Sequence, residues 1–120
     1  MKTIIIDGVE YVEKGENSLA KSVKGLDYCI IRTYSAGCFA GYIDRKRKKF
    51  KEATILNSRR LWYWDGAASL SQLAMEGVKK PENCKFPCEE PEKDLGEIIE
   101  VILATEEAKK SINSVKIWKQ

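Results

Sequence analysis

Histidine is absent from the 120 residues. The usual general base near neutral pH and the commonest transition-metal ligand are lost with it. Carboxylate catalysis survives that loss, yet the chain reads as a small binding protein rather than an enzyme, and no cofactor is expected. Also missing is a long apolar run, since nothing approaches the ~18 residues that read as a membrane span. The N-terminal run Thr3-Ile4-Ile5-Ile6 is broken by Asp7-Gly8 and is too short for a secretory signal. The expected location is therefore the cytoplasm, with no membrane partner. Proline is scarce, at three residues, and all three (Pro81, Pro87 and Pro91) fall in residues 79–94, which read as a polar loop.

Neither sign of charge dominates: 21 basic and 18 acidic residues leave a net +3. The surplus is local. Residues 27–80 carry eleven basic and five acidic groups, whereas residues 81–120 carry six and nine. An anionic ligand is thus expected against the middle of the chain. The four cysteines, Cys29, Cys38, Cys84 and Cys88, are expected as reduced thiols in a cytoplasmic chain. Structural zinc usually takes cysteine pairs with two to four residues between them. Three residues separate Cys84 from Cys88, but eight separate Cys29 from Cys38, so no metal is expected and Cys29 reads as core.

With 43% hydrophobic and 32% charged residues, the chain has the make-up of one ordinary globular domain. Thr3–Ile6 and Val9–Val12 flank Asp7-Gly8, the strongest short hairpin signal. Residues 1–26 therefore read as an N-terminal hairpin and a linker with room for one helical turn, and residues 27–120 as the main ligand-binding domain. Strands are predicted near 28–34, 38–43, 50–56 and 61–64, and a last one near 97–103. Leu70, Leu73, Ala74 and Val78 recur at helical spacing, and Gly77 is a stop signal. Thr105 followed by Glu106 and Glu107 predicts a second helix to about Ser114. The expected fold class is α+β: a small antiparallel β-rich core, meander or sandwich, with two short helices, the second near the C-terminus.

Four segments carry candidate chemistry. Arg45 to Lys51 is a dense basic run that suits a phosphate backbone, but with no aromatic platform beyond Phe50 a solvated hairpin turn is the favoured reading. In Arg59-Arg60-Leu61-Trp62-Tyr63-Trp64, fork-shaped donors sit beside aromatic faces, a pairing suited to phosphate and base. Alternation puts Trp62 and Trp64 on one face, where at least one of them is expected in the core. Arg32 to Gly41 joins two strands through small residues, whose backbone N–H groups can form an anion nest. Gly66 to Gln72 opens a helix, with Asp65 or Ser69 as its cap.

At Arg32–Gly37 and Arg59–Gly77 the chain resembles a family of small phage and prophage proteins. The likeness continues through Asn83–Cys88 and Thr105–Lys110 and covers roughly residues 27–118. Within that set it resembles the first-described type of the Thoeris anti-defence proteins. These are sponges that bind a cyclic ADP-ribose isomer, made by a bacterial Toll/interleukin-receptor-domain sensor, without cleaving it. Some members also hold cyclic oligonucleotides. The resemblance implies a β-rich core, C-terminal helices, and homo-oligomers, dimers or hexamers, with pockets between subunits. It marks Arg32 and Phe86 as pocket residues. Where further arginines are expected near the C-terminus, the sequence has Lys109, Lys110, Asn113 and Lys116, which moves stacking toward lysine charge and Trp118.

The ligand-binding set read from the residues and the resemblance together is Arg32, Tyr34, Ser35, Ala36, Gly37, Arg59, Arg60, Trp62, Phe86 and Asn113. Changing Arg32, Arg59 or Arg60 to Ala is expected to weaken nucleotide binding while barely moving the melting temperature. The competing readings are a nucleic-acid binder using residues 45–51, an enzyme using Asp65 and Glu76, and a structural component or inhibitor of a host protein.

Overall fold

A computed structural model describes Thr3–Ile6, Val9–Val12 and residues 19–120. Strands β1 (Thr3–Ile6) and β2 (Val9–Val12) pair antiparallel, with Thr3 opposite Val12 and Ile6 opposite Val9. The Asp7-Gly8 turn and residues 13–18 of the linker lie outside the described residues. Residues 19–26 hold no helical turn. Leu19 bridges Thr105, the Ala20 N–H donates to the Ala104 carbonyl, and Val23 and Leu26 exchange two backbone hydrogen bonds. Lys24 and Gly25 between them both have positive φ, 53° and 78°, which suits a tight two-residue turn.

The body is an α+β fold. Its five-stranded antiparallel sheet comprises β3 (Asp27–Thr33), β4 (Cys38–Ile43), β5 (Ala53–Arg60), β6 (Glu90–Leu95) and β7 (Ile98–Leu103). The order across the sheet is β6-β5-β4-β3-β7. Only Gly96 and Glu97 join β6 to β7, yet these strands are opposite edges. Four flat strand spacings come to about 19 Å, whereas two connecting residues reach only about 11 Å. The sheet is therefore rolled into a partly open barrel. Cys29, Ile31, Phe39, Ile43, Ile55, Leu95 and Ile98, drawn from all five strands, form the core inside the roll.

The outer face of the sheet carries a second core. Tyr28, Ile30, Ala40 and Tyr42 pack there against Leu73 and Ala74 of α1 (Leu70–Glu76) and Ala108 and Ile112 of α2 (Glu106–Ser114). Both helices start on their predicted caps. The Ser69 hydroxyl accepts from the Gln72 N–H, and the Thr105 hydroxyl accepts from the Ala108 N–H. Gly77 ends α1 at φ 77°. A Cβ there would sit 2.3 Å from Ser111 Cβ, so helix contact as well as conformation requires glycine.

Three predicted elements differ. The third strand starts at Ala53 rather than Phe50 and runs through Asn57-Ser58 to Arg60, absorbing Asn57 at φ 48° where the β4 register shifts. Leu61–Trp64 is not a strand, and only Tyr63 makes an isolated bridge, to Lys85. Residues 79–94 contain a 3-10 turn, Pro81–Asn83, and the strand β6. Glu, Pro, Lys and Asp hide β6 from propensity, but an edge strand tolerates all of them. Among the described residues, no helix is long and apolar enough to cross a membrane.

Candidate functional site

The loop Tyr34–Gly37 joins β3 to β4 and is tied from within. The Thr33 hydroxyl donates to the Gly37 carbonyl at 2.7 Å and accepts from the Ala36 N–H at 3.0 Å. The Thr33 N–H donates to Gly37, and the Tyr34 N–H to the Glu97 carbonyl. Three N–H groups of the expected anion nest are thus already engaged. What the loop offers a ligand is a narrow wall, with Gly37 at φ 98° and the Ser35 hydroxyl donating to Glu97.

Arg60, the last residue of β5, faces this wall. Its Nη1 donates to the Ala36 carbonyl at 2.5 Å, and its guanidinium lies 4.6 Å from the Phe39 ring centroid. A second cation, Lys93, lies 4.7 Å from the same ring and pairs with Glu90. After Arg60 the chain leaves the sheet and carries Trp62 and Trp64 over the loop. The result is an open cleft of about 280 Å3 lined by Ser35, Ala36, Gly37, Cys38, Arg60, Leu61, Trp62 and Trp64. Trp62 is 64% exposed, while Trp64 packs on the outer core. A larger hollow of about 400 Å3, lined by Pro81, Glu82, Cys84, Ser114 and Lys116, has neither a guanidinium nor an aromatic face. Chemistry rather than size therefore singles out the Arg60 cleft. Burial raises the Cys38 thiol pKa against the opposing pull of Arg32, so Cys38 lines the cleft as a neutral thiol near neutral pH.

A family model, Domain of unknown function (DUF6948), matches residues 26–112. The chain belongs to the DUF6948 family. No curated protein and no solved structure gives a significant match. The DUF6948 region contains every residue of the Arg60 cleft and stops short of Trp118.

Of the predicted site residues, the cleft gathers Ser35, Ala36, Gly37, Arg60 and Trp62. Tyr34 stands at the loop tip, 77% exposed. Arg32 lies on the exposed end of β3, 4.0 Å from Glu100, and Asn113 is exposed on α2. Arg59 and Phe86 lie in the interior. Phe86 is fully buried, and Arg59 is 5% exposed. The Arg59 guanidinium makes four hydrogen bonds to backbone carbonyls, with Nε to Pro87, Nη1 to Ile112 and Val115, and Nη2 to Phe86. It supplies a cation at the C-terminal end of α2, and burial lowers its pKa. These bonds make a loss of stability the expected result of Arg59→Ala, where the sequence alone predicts a melting temperature that barely moves.

The ligand-binding set leaves out Cys38, Leu61 and Trp64, although the two candidate segments contain them, and it leaves out Lys93, which falls in a stretch that reads as loop. The basic run is a turn. Arg47 is folded back onto the Phe50 and Asp44 carbonyls, and Lys46, Lys48, Lys49 and Lys51 are exposed. The cysteines do not converge, since Cys29 lies inside the roll and Cys84 in the outer core.

Proposed function

We propose that the chain binds and sequesters a small cyclic nucleotide signal, of the glycocyclic ADP-ribose or cyclic oligonucleotide kind, without cleaving it. Its setting would be a bacterial cytoplasm, where it would act as a phage anti-defence sponge. One observation carries the reading: Arg60, Trp62 and the small-residue loop Ser35–Gly37 share a single cleft. Arg60 spends one N–H on Ala36 and keeps the rest of its fork for a phosphate. Trp62 offers an open π face for a base. At Gly37 the loop lets a ribose or phosphate approach backbone with no side chain between.

At about 280 Å3 the cleft falls just below the ~300–1,000 Å3 typical of ligand pockets. One copy thus accommodates part of a dinucleotide-sized signal, and a second copy, as a dimer or hexamer, would complete the enclosure. Nanomolar capture corresponds to about −12 kcal/mol, which is easier to reach when two subunits cover the ligand.

Incubation with glycocyclic ADP-ribose should remove it from solution and silence the effector it activates. Heating should return it chemically intact, and Arg60→Ala should weaken capture at least about tenfold. Degraded product after heating would indicate a hydrolase. No capture of this signal, or of cyclic di- and trinucleotides, would overturn the reading. The exposed Lys46, Lys48, Lys49 and Lys51 favour a second reading, nucleic-acid binding, whose mark is a steep loss of affinity with salt.

A further inference from the structure

The turn that follows β4 is braced from within. The Arg47 guanidinium donates twice to the Phe50 carbonyl and once to that of Asp44, and it lies 4.8 Å from the Phe50 ring centroid. The Lys46 N–H donates to the Asp44 carboxylate at 2.9 Å. This bracing leaves Lys46, Lys48, Lys49 and Lys51 exposed around a fixed turn. Sheet register then sets a second basic turn beside the first. Asp27, which opens β3, pairs with Ile43, which ends β4. The chain just before Asp27 therefore meets the chain just after Ile43. Asp27 joins them, since its carboxylate accepts from the Ser22 hydroxyl at 2.6 Å and lies 3.7 Å from Arg45. Lys21 and Lys24 are exposed on this second turn. Between the turns is a hollow of about 340 Å3, lined by Ser22, Gly25, Asp27, Asp44, Arg45 and Lys46.

Residues 21–27 and 44–52 hold eight basic and three acidic side chains, a net +5 in a chain of net +3, so the remainder is net −2. The positive surplus of the whole molecule is thus gathered at one end of the roll. All three carboxylates there are engaged: Asp27 with Ser22 and Arg45, Asp44 with the Lys46 N–H, and Glu52 with Lys49 at 3.6 Å. The Arg60 cleft is at the other end. Strand β4 begins at Cys38, in the cleft, and ends at Ile43, about 17 Å further along.

We infer that the two turns form one basic face that binds the phosphate backbone of nucleic acid without reading its sequence. This is a second activity on a separate surface, and it stands whether or not the cleft holds a nucleotide. The lysines carry it, because each ammonium meets a phosphate as a point charge and releases condensed counterions. Base stacking contributes little. Phe50 is the one aromatic residue in the two segments, and Arg47 already lies over its ring. Shape favours a nucleic-acid strand over a lipid surface: a hollow bordered by charge receives a ridge of phosphates, whereas a flat bilayer touches only the rims. The run 45–51 by itself is a solvated turn. Lys21 and Lys24, brought in from before β3, make it a face.

Anisotropy of a labelled random-sequence DNA duplex, titrated with the full chain between about 50 and 200 mM salt, tests this. Affinity should fall steeply with salt, each contacting lysine adding about 0.9 to the log–log slope. A Lys21→Gln, Lys24→Gln double variant and a Lys48→Gln, Lys49→Gln double variant should each weaken binding and flatten the slope by about 1–2. Both should melt like the wild type, because all four side chains are exposed. Arg60→Ala should bind the duplex unchanged. Wild-type affinity and slope in the Lys21, Lys24 variant would show that the turns do not act as one face, and the inference fails. Loss of duplex binding in Arg60→Ala would place the duplex in the cleft and also refute a separate face. Binding to phosphatidylserine vesicles but not to the duplex would make lipid the partner, and binding to neither would leave two solvated turns; each overturns the inference. Duplex binding without nucleotide capture would sink the sponge reading alone.

Discussion

Successive side chains leave a strand on opposite faces. On β5 this sends Arg59 outward beneath the helices and Arg60 inward over Phe39, at the mouth of the roll. Two adjacent arginines thereby acquire unrelated duties. Removing Arg59 takes a donor from the Phe86, Pro87, Ile112 and Val115 carbonyls, of which Phe86 and Ile112 keep a backbone N–H, from Trp118 and Val115. Arg59→Ala should cost about 3 kcal/mol or more in chemical denaturation. Arg59→Lys should recover little, because a single ammonium cannot span four carbonyls set for a planar fork. Arg60→Ala should melt close to the wild type, since its one backbone bond is exposed. Equal melting temperatures for Arg59→Ala and the wild type would refute this division of labour. In the sequence the pair was legible as chemistry, but not which member was free. That depends on where β5 ends, and β5 ends four residues later than composition indicated because it continues through Asn57 at positive φ.

Among the elements, the joint between β7 and α2 bears on both helices. The Thr105 hydroxyl accepts from Ala108 and donates to the Met75 carbonyl at 2.6 Å, while its N–H donates to Ala74. One residue thus caps α2 and receives the end of α1. Thr105→Val keeps the shape and removes the hydroxyl, and it should cost about 1–2 kcal/mol. Thr105→Ser should retain most of the stability; if Val and Ser melt alike, the hydroxyl carries no weight. Both helices were readable in the sequence because caps are local chemistry: Ser69, Gly77, Thr105 and the acidic pair after it lie within a turn of the ends they mark. Strand β6 was not, because Glu90-Pro91-Glu92-Lys93-Asp94 acquires strand geometry only by pairing with β5, from Ala53 opposite Leu95 to Ser58 opposite Glu90. The Arg60 cleft shares that dependence. Its small-residue wall and its aromatics are adjacent only because Cys38 accepts from the Leu61 N–H across the sheet.

For the whole molecule, the two cores set the response to pH. Burial pushes the Cys29 thiol up to about 12 from an ordinary 9.0, and it raises Tyr28, Cys38 and Cys84 as well. These groups stay neutral in the fold where the unfolded chain would ionise. The stability they contribute is full below about pH 9 and is lost as pH rises toward 12. With no histidine to titrate, melting temperature should be nearly flat between about pH 6 and 8 and fall above 9, with a shallower fall in Cys29→Ala. A decline already under way at neutral pH would contradict the assignment. The rolled sheet has a further consequence, for synthesis. β3 forms early in the chain, yet its second partner is the last strand, with Cys29 opposite Leu103. At ~5–20 residues per second, the ribosome leaves that edge of β3 bare for several seconds. During that time the nascent chain exposes an apolar strand edge of the kind that templates aggregation, so its yield in the cell should depend on translation speed and on chaperones that shield such edges.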